Sequence, residues 1–298
     1  MSLLTFKSIL SSFRTTLVTP LDDFYSREDP LLKHTREYED AYSNLLELIS
    51  NSGRSDIYPH LSDLFLFVGS ILGKELYEGY DSRLGGIING AKALLHALLL
   101  LFDTSSARYL LLFPSNQLDP SSIPIAQNIT HICTKAIATT RIDNQPVLFS
   151  RLPMCQNALV WLGMQLSYPE LSDPPFMHVF QPLCLQLTED FREDAIKCGF
   201  QLLEHFSINC RTADWRDNSR AEAVLSQLLN RRFISDPNSS SAVLQSLFKS
   251  FEFIFQTCRT KYISSNGSMY ETHCILLLAV VLIAFCARPA HTSLSLFY

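Results

Sequence analysis

At 298 residues the chain is long for one compact core, yet 47% hydrophobic residues and only 10 glycines are ordinary for a helix-rich chain. The formal net charge of −5, with no basic run longer than Arg231-Arg232, argues against a direct nucleic-acid partner. The 8 cysteines stand singly at 133, 155, 184, 198, 210, 258, 274 and 286 with no CxxC spacing; this is how small buried residues are used in a reducing compartment.

Residues 1–20 lack the basic cap, continuous apolar run and small-residue cleavage site of a secretory signal. Without one, the sequons at Asn128, Asn238 and Asn266 read as coincidences of Ser/Thr-rich stretches. Residues 1–56 read as a charged amino-terminal helical arm. Acids from Asp22 to Asp40 give it the pattern of a solvated helix face or a loosely ordered segment. Two long apolar segments follow, Ile57 to Tyr80 and Leu84 to Phe102, on either side of Asp81. Gly85-Gly86 is too sparse to cradle phosphate, and no strand precedes it.

The stretch from Pro114 to Pro124 is the best internal break, rich in Ser, Asn, Asp and Pro. Ser121-Ser122 is placed to cap a helix carrying Ile125, Ile129, Ile132, Cys133, Ala136 and Ile137. Gln145-Pro146 is expected to open another, with Leu148, Leu152, Leu159, Val160 and Leu162, which Pro153 kinks or restarts.

Phe180 to Phe255 is the most informative stretch and reads as two consecutive helical hairpins. Pro182 fits the first turn of a helix, where its missing N–H is not needed. Leu183 to Leu187 form an apolar turn, and Glu189-Asp190 ends it at a corner where Asp190 or Asp194 can accept from an orphan N–H. In the next segment Ile196, Gly199, Leu202, Leu203 and Phe206 share one face, with Lys197, Gln201 and Glu204 on the other. Gly199 in that stripe implies a close helix-helix approach. The second hairpin takes Ala221, Val224, Leu225, Leu228 and Leu229, a loop at Asp236 to Ser241, then the Val243 to Phe255 stripe. Two such helices cannot bury their faces alone, so the expected fold is all-α: an α-solenoid of stacked antiparallel pairs, HEAT/armadillo-like, over 57–273.

No chemistry stands out. His131 and Cys133, at i and i+2, diverge by about 200° on a helix and do not converge on one metal ion. Glu189-Asp190 and Glu193-Asp194 resemble acid/base pairs, but they lie at a helix corner where acids complement the dipole. No Cys-His pair is nominated by spacing, so no catalytic residue, cofactor or metal is expected. Trp215, in Asp214-Trp-Arg-Asp217, is either a plug between repeats or an exposed anchor.

Over about Cys155 to Gln256 the chain resembles the second Tel-interacting subunit family of the Triple T co-chaperone complex. Pro182-Leu-Cys-Leu-Gln-Leu-Thr-Glu-Asp190 is similar to the family's Pro, apolar run and acidic pair, and Lys197-Cys-Gly199 with Leu202-Leu203 to its basic residue, Gly and helix. Ser219-Arg-Ala-Glu-Ala-Val-Leu225 is similar to its Arg-Ala-x-x-Val-Leu segment, and the Val243 to Phe255 helix follows in the expected order.

The resemblance implies a non-enzymatic α-solenoid of the cytoplasm and nucleus, bound to the Tel subunit and the first Tel-interacting protein. That assembly works with Hsp-ninety machinery on phosphoinositide-kinase-like protein kinases. Glu189, Asp190, Lys197, Arg220 and Trp215 are the candidate partner-binding positions. A different HEAT/armadillo adaptor, in transport or trafficking, shares the same repeat pattern.

The end of the chain departs from the family. Residues 274–298 form an atypical tail whose apolar run Cys274 to Ala287 has no polar face. Its 14 residues fall short of the roughly 18 to 20 that span a hydrocarbon core, which favours a buried helix or a non-native tail over a membrane anchor.

Overall fold

The computed structural model describes residues 5–17, 30–77, 81–116, 119, 121–142, 145–146, 148–190, 192–216 and 220–229. Within them the chain is all-α apart from one small hairpin. The helices are α1 (Phe6–Leu17), α2 (Pro30–Lys33), α3 (Thr35–Ser50), α4 (Arg54–Ile57), α5 (Leu61–Glu75), α6 (Gly85–Leu101) and α7 (Ala107–Leu111). After them come α8 (Ile125–Thr139), α9 (Pro153–Gln165), α10 (Pro174–Thr188), α11 (Glu193–Asn209), α12 (Thr212–Arg216) and α13 (Arg220–Leu229). By its internal packing the chain divides into two compact units, 1–198 and 199–298.

The first unit is built around α5. Every residue from Leu64 to Gly73 is buried, so this helix has no solvent face. It packs against α1, α6, α8 and, most intimately, α9. Two glycines permit the last contact. A methyl on Gly73 would overlap the Asn157 carbonyl oxygen, and one on Gly69 would lie 2.7 Å from the Trp161 ring. A backbone-to-backbone approach of that kind admits no side chain.

The expected arm over 1–56 is part of this unit where it is described. Phe6, Leu10 and Phe13 of α1 are buried, Phe13 meeting the Phe67 ring edge-on at 4.7 Å. Arg14 pairs with Asp63 at 2.5 Å. In α3, Tyr38, Tyr42, Leu45 and Ile49 recur at spacings of three and four and face the core, while acids such as Glu39 and Asp40 stay outside. Net polarity drew attention to the exposed face and hid this stripe.

Helix α6 ends in a left-handed cap at Asp103, whose φ is 55°. The Asp103 and Thr104 N–H groups donate to Leu100 and Leu99 carbonyls at 3.1 and 3.0 Å. By length and composition alone, Ser82–Leu101 could cross a bilayer. Ile87, Ile88, Ala91, Leu94 and Leu98 are nevertheless buried in the unit.

The two ends of the break at 114–124 are tied together, since Ser115 N–H donates to the Ile123 carbonyl and Ile125 N–H to that of Phe113, each at 2.8 Å. The Ser122 hydroxyl is taken by Asn116, accepting its N–H at 3.0 Å, so it does not cap α8; Pro124 stands at that position. Asn128 and Thr130, part of a formal sequon, lie within α8, where Asn128 donates to the Ser62 hydroxyl at 3.1 Å and Thr130 is buried.

Gln145-Pro146 does not open a helix. It is strand β2 (Gln145–Pro146), paired antiparallel with β1 (Arg141–Ile142), with Arg141 opposite Pro146 and Ile142 opposite Gln145. The helix restarts at Pro153, as the fixed φ of that residue favours.

Pro182 lies inside α10, not in its first turn. The helix begins two turns earlier, at Pro174-Pro175 after Asp173, where missing N–H groups cost nothing.

In the second unit Phe200, Leu202, Leu203 and Phe206 of α11 are buried, as is Gly199. Helix α12 packs on α13, whose Ala221 and Val224 are buried. The loop at Asp236 to Ser241, the Val243 to Phe255 stripe and the 274–298 tail lie outside the described residues.

Candidate partner-binding corner

Helix α10 ends at Thr188 and α11 starts at Glu193, so Glu189 and Asp190 occupy the corner between two helices. The Glu189 and Asp190 N–H groups close the last turn of α10, donating to Gln186 and Leu187 carbonyls at 3.1 Å each. Asp190 accepts the Arg192 N–H at 2.9 Å, the orphan-donor role its position suggests. The Arg192 guanidinium also grips it, through Nε and Nη2 at 3.1 and 3.0 Å. With a side chain only 4% exposed, Asp190 is a structural clamp on the corner. Burial alone would lower the Arg192 pKa. The hydrogen bond and charge of Asp190, helped by Tyr77 and Asp194, outweigh that and raise it.

Lys197 reaches one turn back to Glu193 at 3.1 Å. Its neighbour Asp194 lies 3.9 Å from Lys74 of α5, and Lys74 also sits 4.9 Å over the Tyr77 ring. Tyr77 is fully enclosed and accepts a hydrogen bond from Gln156 Nε2 at 2.8 Å. Burial pushes its phenol well above the ordinary range; Cys198 and Asp194 add to the rise, and Gln156 and Arg192 oppose it.

Beside the corner lies a cleft of about 220 Å³ between the segment at 148–150 and the last turns of α10. Leu148, Phe149, Leu183 and Leu187 form its apolar walls. Gln156 and Gln186 also line it, with Glu189 and Asp190 at the corner end. Gln186 Oε1 is buried without a hydrogen-bond partner. Leu148 stands at the mouth, 59% exposed.

The remaining candidates separate from this corner. Trp215 lies in α12 and is 1% exposed, with its Nε1 unpartnered. So enclosed, it is a packing residue and not an exposed anchor. Arg220 is the first residue of α13, half-buried. His131 is exposed and Cys133 buried, so the two leave α8 on different sides. Among the described residues no three His, Cys, Asp or Glu gather where they could hold a metal ion.

Cys133, Cys155, Cys184, Cys198 and Cys210 are buried cysteines in the thiol form. Burial, then Asp194, pushes Cys198 up to about 12 against the opposing pull of Lys74. Burial, then Asp214, does the same to Cys210, with Arg220 opposing. Neutral thiols of this kind are poor nucleophiles.

Sequence reasoning found the charged corner and missed the cleft. Gln156 and Tyr77 are 79 positions apart, so no local pattern joins them. Gln186 did carry a signal, as a polar residue inside the run Leu183-Cys-Leu-Gln-Leu187. Comparisons with models of protein families, with curated proteins and with solved structures give no match.

Proposed function

We propose that this chain is a non-enzymatic α-solenoid scaffold, a subunit of a co-chaperone assembly of the Triple T type. In this reading it binds two larger helical partners, the Tel subunit and the first Tel-interacting protein. Together they support Hsp-ninety-dependent maturation of phosphoinositide-kinase-like protein kinases in the cytoplasm and nucleus. Helix pairs such as α10 and α11 then stack as repeats, and their corners and polar faces meet partners, with Glu189, Lys197 and Arg220 as contact positions.

One observation supports the reading above the others: the corner where α10 ends and α11 begins. The acid pair ending the apolar run sits at a helix corner. One turn into the second helix, the basic residue Lys197 stands beside a buried glycine. Those are the features on which the family resemblance rests, and partner-binding helical arrays present such corners along one edge.

The test is the fate of the kinases. Depleting the chain from its own cells should shorten the half-life of newly made giant kinases in a pulse-chase while bulk protein turnover is unchanged. Normal kinase half-lives in fully depleted cells would overturn the proposal.

A further inference from the structure

We draw no further inference here: the strongest candidate, the cleft of about 220 Å³ between the segment at 148–150 and the last turns of α10, is an apolar-walled groove with exposed Leu148 at its mouth, and nothing in the structure shows what covers it.

Discussion

Gly73→Ala should destabilise the first unit even though alanine is the better helix former. Within α5 the propensity gain is about 1 kcal/mol. The new methyl, however, would overlap the Asn157 carbonyl oxygen and sit 2.5 Å from its carbon and 2.9 Å from its Cα. These are backbone atoms of α9, so relief requires moving one helix against the other and not turning a side chain. Overpacking typically costs about 1–3 kcal/mol, and a backbone neighbour puts this site at the upper end. A net loss of about 2 kcal/mol lowers the melting temperature by about 4–8 °C for a unit of this size. Circular dichroism melts provide the assay, with Gly85→Ala as the control, because nothing lies within 4 Å of that position. Gly85→Ala should be neutral or slightly stabilising. If Gly73→Ala melted at or above the wild-type temperature, the close approach of α5 to α9 would be wrong.

Other perturbations test separate parts of the packing. Tyr77→Phe leaves the Gln156 Nε2 donor without its partner and should cost about 1–3 kcal/mol in urea unfolding, where an unchanged midpoint would contradict the bond. Trp215→Ala, at a side chain 1% exposed, should cost about 3–5 kcal/mol, while Trp215→Phe, which removes the unpaired Nε1, should cost far less. Asp103→Gly should raise stability by a few tenths to about 1 kcal/mol, since φ of 55° suits glycine better than aspartate. Burial raises the Cys198 and Cys210 pKa values from 9.0 to about 12, favouring the neutral thiol in the folded chain. That contribution is intact below pH 9.0 and is lost as pH rises toward about 12. Stability should therefore fall on the alkaline side, less steeply in the Cys198→Ala, Cys210→Ala double variant, and an identical slope would count against the shifts.

What the sequence made legible follows from period and punctuation. The 3.6-residue stripe in Ile196 to Phe206 and the acid pair at 189–190 marked a helix and its corner, and both signals are local. Pro153 marked a helix start for the same reason. Gln145-Pro146 misled because a two-residue strand has too little length to show a period, and Pro182 because Asp173-Pro-Pro supplies the stronger start signal upstream. The central place of α5 was not readable either. A helix buried on every side has no polar face to set its phase, so periodicity falls silent where packing is densest. The corner's charges stood out, while the cleft depends on Gln156 and Gln186 meeting across distant segments. Asp190 and Lys197 drew attention as contact residues, yet within the fold each is engaged by a neighbour one or two positions, or one turn, away.

As proposed, this chain works as a partner-bound scaffold. Affinity purification of the tagged chain from its own cells at moderate salt, with mass spectrometry of what co-elutes, tests it most directly. The expected co-eluting species are large helical-repeat proteins of the Tel and first Tel-interacting type, accompanied by Hsp-ninety machinery or giant kinases. A folded, expressed chain that elutes without any of them would contradict it.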